Sequence, residues 1–321
     1  MRNTIIHIGA NKTASTTLQR ALFSKSNHLQ YIGEDGIGYP DYANALNSLI
    51  YDDDLYYQKE ECKKLFENNL ASREDKTLVF SSEDVLTSTV PVACAKRLHS
   101  FLPNAKVLLV TRNQFTAVPS FYANHGAFLK PAPPSYFRRH VSLQEWISFQ
   151  EIFIKYGALA SFKYNTLVSI YENLFGADNI HILLFEEFQQ DKKKFAEKLG
   201  DLLKIEVKEI LEALEGRHER KRYTGRMLTY NHFRTNFFWG VKFSKFIPFG
   251  NPLVRKFYGF LEQGTAAKIP LNDEIKKKIS GLYAVENSEL DQKYHLNLAK
   301  YGYPMIKTNS KEQASGDKYE F

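Results

Sequence analysis

The residue pattern of the 321-residue chain predicts an α/β fold. Three layers, αβα, are expected around a central parallel sheet of four to five strands, with a mainly helical C-terminal part. Three observations carry that expectation. Short apolar, largely β-branched runs recur at 4–9, 77–82, 105–111 and 180–185, and their nearly continuous apolar character suits strands buried on both faces. Segments of helical character lie between them, near 15–25, 56–70, 91–101, 114–129, 143–156 and 161–175, and that alternation builds parallel βαβ units. From 191 to about 300 the strands stop and helical patterns take over, including a long polar-periodic helix from about Asp273 to Gln292.

The first strand, with Ile5, Ile6 and Ile8, runs directly into a loop suited to an anion. Gly9 permits a sharp exit. Lys12, Thr13, Ala14, Ser15, Thr16 and Thr17 then bring one cation, four hydroxyls and a row of backbone N–H groups to the start of a helix that continues through Leu18, Gln19, Ala21 and Leu22. A Walker loop, G-x-x-x-x-G-K-[ST], places its Lys after the second Gly, whereas Lys12 comes early with no Gly behind it. The spacing therefore does not fit a nucleoside-triphosphate hydrolase. Ala14 sits without cost if its φ is negative and is strained if φ is positive.

The second strand, Thr-Leu-Val-Phe-Ser-Ser, delivers Glu83 and Asp84 to the same edge of the sheet. Glu83 can accept a proton there, cap the next helix, or pair with Arg112. The third strand, Lys106 to Thr111, ends on Arg112, and Ser120 follows eight residues later inside a helical stretch. Arginine offers the bidentate fork that suits a phosphate, and serine adds a hydroxyl. Pro119 removes a backbone hydrogen bond, so it kinks that helix or marks a late start. In an open parallel sheet these carboxyl ends are where ligands gather.

Lys-Thr-Ala-Ser-Thr-Thr-Leu-Gln, residues 12–19, resembles the 5′-phosphosulfate loop of sulfotransferases that use 3′-phosphoadenosine 5′-phosphosulfate (PAPS). Ala14 stands where that family usually has Gly. Arg112 and Ser120, in the family's order and with its Arg-x₇-Ser spacing, resemble its 3′-phosphate element. Arg220-Lys221-Arg222-Tyr223-Thr224-Gly225 resembles the segment that closes over the 3′-phosphate and adenine, with Gly225 at the family offset and Arg222 in place of the first Gly. Leu298 to Pro304 resembles the close of bacterial members. The resemblance implies a P-loop-like fold and a PAPS-dependent sulfotransferase of the bacterial, carbohydrate type, with PAPS as donor and no metal. It implies that Lys12, Thr13, Ala14, Ser15, Thr16 and Thr17 hold the 5′ side of the donor, with Lys12 beside the bridging oxygen. Arg112, Ser120, Arg220, Lys221, Arg222 and Gly225 then hold the 3′ side. Glu83 is the first choice for the general base, and His125, in Ser-Phe-Tyr-Ala-Asn-His, is the second.

Composition agrees with an enzyme. With 43% hydrophobic residues the chain can bury a large core, and one domain over residues 1–306 is expected, its helical portion spanning about 191–306, followed by a flexible polar tail at 307–321. A net charge of +7 and a pI near 9.1 suit a polyanionic donor, an acidic glycan or an anionic membrane surface. Cys62 and Cys94 have neither metal-ligand spacing nor a disulfide framework. No leader-like segment precedes the first strand, and no apolar run reaches the ~18 residues of a membrane span. A cytoplasmic location is expected, with peripheral contact at the inner face of the membrane.

The expected acceptor is a glycan, a glycolipid or a small-molecule hydroxyl, and nucleic acid is not expected as a partner. Phe233 to Phe260 interleaves aromatic with basic residues, as an anionic lipid interface does and as a core helix pair with a wet basic side also does. Two other classes stay open. A P-loop-like kinase requires Mg²⁺, a Walker Lys and a strand-end Asp, whereas this apolar strand ends in Thr111-Arg112. A basic nucleic-acid-binding protein could use the aromatic stretch but has no need of paired strand-end motifs.

Overall fold

The computed structural model describes residues 2–10, 12–34, 36, 39–71, 75–125, 139–152, 158–215, 224–238 and 252–307. Five parallel strands, β1 (Thr4–Ile8), β2 (Leu29–Gly33), β3 (Thr77–Ser82), β4 (Lys106–Thr111) and β5 (Ile180–Leu184), are ordered β2-β3-β1-β4-β5. Side chains along each strand alternate between two cores. Ile6, Ile8, Phe80, Val107 and Leu109 enter one, and Ile5, Val79, Leu108 and Val110 enter the other. Burial on both faces is why these strands read as unbroken apolar runs.

The first core is closed by α2 (Tyr39–Tyr51), α3 (Lys59–Leu70), α4 (Pro91–Phe101), α5 (Gln114–His125), α6 (Leu143–Ile152), α7 (Tyr164–Phe175) and α13 (Asp273–Tyr294). The second is closed by α1 (Ser15–Thr17) with the π-helical turn Leu18–Phe23 that continues it, and by α8 (Phe185–Gln190), α9 (Lys192–Leu203) and α10 (Val207–Glu215). Two further helices, α11 (Gly225–Phe238) and α12 (Pro252–Glu262), pair with each other. The expected three-layer arrangement is therefore present, with five strands and a helical C-terminal part. Of the expected tail at 307–321, all but Lys307 lies outside the described residues. Among the described residues no helix is long and apolar enough to cross a membrane.

Several elements differ from the sequence expectation, each for a physical reason. β2 was not expected, because Gln30 interrupts its apolar run and it is an edge strand held by β3 alone. Gly33 closes it where a Cβ would come 2.2 Å from the Ser81 carbonyl oxygen, so only glycine fits. α2 was not expected either: Tyr, Asn, Asp and Ser are weak helix formers, and burial of Ala45, Leu46, Leu49 and Ile50 holds the helix instead. The expected helix at 15–25 is only partly α. Ser24 N–H donates to the Gln19 carbonyl at 2.9 Å, an i→i+5 bond, and the wider turn buries Leu18, Gln19, Ala21, Leu22 and Phe23 while Arg20 faces out. The 161–175 stretch is a 3₁₀ turn at Ala158–Phe162 followed by α7.

α5 begins at Gln114, well before Pro119, so the late-start alternative does not hold. Asn113 fixes that start by accepting the Phe115 N–H at 2.8 Å. Gln114 itself is buried and exchanges two amide hydrogen bonds with buried Asn287 of α13, at 2.9 and 3.0 Å. Each amide satisfies the other, and the C-terminal helix thereby locks the entry to α5.

Candidate active site

β1 and β4 are neighbours, yet the chain leaves them toward opposite faces, into α1 on one and α5 on the other. A crevice at the carboxyl ends follows from that divergence. On its β1 side Gly9 leaves room for the loop, since a Cβ there would lie 2.8 Å from Ser15 Oγ and 3.2 Å from His7 Cε1 and would force those side chains to shift. Thr13 Oγ1 and Ser15 Oγ are buried and both donate to the Ala10 carbonyl, at 2.6 and 3.1 Å. Two of the four loop hydroxyls thus hold the loop from within. Lys12 and Ala14, at φ 69 and 65, are left-handed on either side of Thr13, and such alternation turns neighbouring N–H groups toward one point. The first-turn N–H groups of α1 add to that field.

Ala14 therefore falls in the strained case. A left-handed Ala costs about 1–2 kcal/mol that Gly does not, while Gly forfeits about 0.4–1 kcal/mol through a freer unfolded chain. Ala14→Gly should thus stabilise the protein by about 0.5–1 kcal/mol, seen as a rise of about 1–3 °C in a thermal melt. A lower melting temperature would show that position 14 is not left-handed in solution.

Beneath the loop His7, Ser81 and Gln19 form a buried cluster on the second face of the sheet. Ser81 Oγ lies 2.7 Å from His7 Nδ1 and accepts from Gln19 Nε2 at 3.0 Å. Full burial pushes the His7 pKa down to about 3, so the imidazole is neutral at physiological pH. A charge beneath the loop is thereby avoided, and the π-helical turn is tied through Gln19 to β3.

Arg112 spans the crevice. Its Nη1 donates to the Lys12 carbonyl at 2.7 Å, its Nε to Thr116 Oγ1 at 3.0 Å, and its guanidinium carbon lies 4.7 Å over the Phe185 ring. Tyr164 clamps its backbone, accepting from the Arg112 N–H at 3.2 Å and donating to its carbonyl at 3.0 Å. Ser120 lies one turn beyond Thr116 on α5 and is half-buried. Across the loop, Thr16 Oγ1 donates to Glu83 Oε1 at 2.9 Å. Ser82, by accepting the Asp84 N–H at 3.2 Å, caps the turn after β3, which leaves Glu83 turned to the loop.

The C-terminal segment closes the same edge. Glu186, buried just past β5, accepts from Asn113 N–H at 3.0 Å and from Tyr303 OH at 2.9 Å. Burial and the Glu186 carboxylate beside it push the Tyr303 hydroxyl well above the usual phenol range, so it stays a donor. Asn113 Nδ2 donates to the Tyr301 carbonyl at 2.9 Å.

The structure thus brings Lys12, Thr13, Ala14, Ser15, Thr16, Thr17, Glu83, Arg112 and Ser120 to one sheet edge. Gly225 opens α11, where an added Cβ would meet open space. His125 ends α5, with its side chain outside the described set, and Arg220, Lys221 and Arg222 lie outside the described residues. His7, Tyr164 and Glu186 lay in no motif, while Gln19 and Tyr303 lay inside the 12–19 and 298–304 segments with no role attached to them. Only Glu186 had a signal: a carboxylate two residues past an apolar strand. Among the described residues no group of three or more His, Cys, Asp or Glu side chains is placed to hold a metal ion.

Comparison with known proteins agrees with this architecture. A family model described as a sulfotransferase domain matches residues 3–248. No curated protein is significantly similar. The chain is similar to a solved sulfotransferase from Alicyclobacillus acidocaldarius, with 15% identity and a TM-score of 0.53 over 94% of this chain and 99% of that one. It is similar also to a mouse sulfotransferase complexed with PAP, at 17% identity and a TM-score of 0.38, over 80% of this chain and 82% of that one.

Proposed function

Because this chain belongs to the sulfotransferase domain family, we propose that it moves the sulfuryl group of PAPS to a hydroxyl of a carbohydrate or glycolipid acceptor. The observation that supports this most is the 2.7 Å bond from Arg112 to the Lys12 carbonyl. It joins the β1 loop and the β4 end into one crevice, as a donor with phosphate at both ends requires. The acceptor class rests on the carbohydrate-type resemblance.

Lys12 supplies a cation where negative charge gathers on the oxygen linking sulfur to the 5′-phosphate, so it stabilises the transition state more than the ground state. The loop N–H groups hold the 5′ side. Arg112, steadied by Phe185 and Thr116, and Ser120 hold the 3′-phosphate. Glu83 takes the proton of the acceptor hydroxyl as its oxygen bonds to sulfur and the sulfur–oxygen bond to the 5′-phosphate breaks. The bond from Thr16 orients that carboxylate. A single domain over residues 1–306 follows naturally, since α13 and residues 298–304 complete the site.

Calorimetry without added metal tests the reading. 3′,5′-Bisphosphoadenosine should bind and raise the melting temperature, while AMP, ATP and single-stranded DNA should do much less, because only the bisphosphate engages both ends of the crevice. Ser120→Ala should narrow the preference for the bisphosphate over AMP. Equal stabilisation by AMP and the bisphosphate would remove Arg112 and Ser120 from the 3′-phosphate. Tighter binding of ATP in the presence of Mg²⁺ would favour a kinase.

A further inference from the structure

We infer that the outer face of the α11–α12 hairpin docks on an anionic phospholipid bilayer. Along α11, Arg226, Tyr230, Phe233 and Phe237 fall at i, i+4, i+7 and i+11, and along α12, Leu253, Phe257 and Phe260 repeat at i, i+4 and i+7, so each set forms one stripe. The helices run antiparallel. Thr224 Oγ1 donates to the Leu261 carbonyl, the Arg226 guanidinium lies 4.3 Å over the Phe260 ring, and Tyr230 meets Phe257 with ring centroids 5.3 Å apart. Continued at the same register, that pairing sets Leu253 level with Phe233, and the two stripes merge. A core helix pair would bury these side chains. Tyr230 is buried between the two helices, whereas Phe237 is 68% exposed and Leu253 72%, with Phe233, Phe257 and Phe260 between 44% and 51%. One exposed apolar residue is ordinary, but a joined strip of five marks an interaction surface.

Charge selects the occupant. α11 and α12 carry Arg226, Arg234, Arg255 and Lys256 against a single acid, Glu262, and Arg226, Arg255 and Lys256 are exposed. Aromatic rings flanked by cations suit the headgroup level of an anionic bilayer, where the rings sink below the phosphates and the cations stay with them. A second copy of this chain, meeting the same face about a two-fold axis, would set those cations against their like. Contact in the interfacial plane is the geometry available, because among the described residues no helix can cross a membrane. The hairpin is also fastened to the body: the His140 and His232 rings lie 3.4 Å apart, and the His140 N–H donates to Asn236 Oδ1 at 3.0 Å. The exposed strip includes none of the strand-end residues Lys12 to Thr17, Glu83, Arg112 or Ser120.

Co-sedimentation of the full chain with phosphatidylcholine vesicles, with and without phosphatidylglycerol, tests this. Partitioning should be at least about tenfold stronger on the vesicles that contain phosphatidylglycerol and should weaken at high salt. Phe237→Ser with Leu253→Ser should reduce it about tenfold or more, with the melting temperature and bisphosphoadenosine binding unchanged, since both side chains are exposed and neither lies at a strand end. Absence of binding, or equal binding to both vesicle types, would overturn the inference. So would a wild-type dimer that the double variant converts to a monomer, because the face would then cover a second copy. Loss of bisphosphoadenosine binding by the wild type would count against the sulfuryl-transfer reading alone.

Discussion

Glu83→Gln should lower turnover by about 10²–10⁴-fold, the range expected when a positioned general base is lost. The amide keeps an acceptor oxygen for the Thr16 hydroxyl, 2.9 Å away in the native protein. The loop should therefore keep its shape, and melting temperature and bisphosphoadenosine binding should stay close to wild type. What disappears is the capacity to take a proton from the acceptor hydroxyl. The pH dependence of kcat gives a second measure: a carboxylate base places the acidic limb nearer 4.3, and an imidazole places it nearer 6.5. His125→Ala should cost less, through positioning of the acceptor. If Glu83→Gln kept most of its turnover while His125→Ala lost it, the base would be His125, and the Thr16–Glu83 bond would serve only to hold the loop.

Lys12→Ala should lower turnover by about 10²-fold or more, the size expected for one preorganised electrostatic contact to the developing charge. Donor binding should suffer less. The reason lies in how Lys12 is used twice: its backbone carbonyl anchors Arg112 at 2.7 Å, whereas its ammonium is the part assigned to the bridging oxygen. Truncation removes the second role and leaves the first, so the variant should separate kcat from donor affinity. Measured kcat near wild type, with weakened donor binding only, would make Lys12 a binding residue. A melting temperature close to wild type is expected as well, since Ala and Lys bear the same left-handed backbone cost at φ 69.

Much of the fold was legible because its signals are local. A strand buried on both faces must be apolar along its length, so β1, β3, β4 and β5 stood out, and their order with helices between them pointed to a parallel sheet. Where stability comes from partners distant in the chain, the local pattern was silent. β2 is specified by β3, and α2 by the core it covers. The alternative of a core helix pair for the aromatic, basic stretch failed for the described helices, because whether an apolar stripe is covered depends on what packs over it.

The loop from Lys12 to Thr17, the Arg112–Ser120 pair and the carboxylate at Glu83 were legible in the sequence, since each needs only residue types at fixed short spacing beside a strand end. Which of them meet was settled by packing. It placed β1 next to β4, so that residues 100 apart, Arg112 and Lys12, share a hydrogen bond. It turned the hydroxyls of Thr13 and Ser15 inward to Ala10, forced Ala14 into the left-handed region, and brought Glu186 and Tyr303 to the same edge. Spacing along the chain fixes which groups a strand end offers. Sheet order and packing, set by burial of surfaces far apart in sequence, fix which of those groups meet.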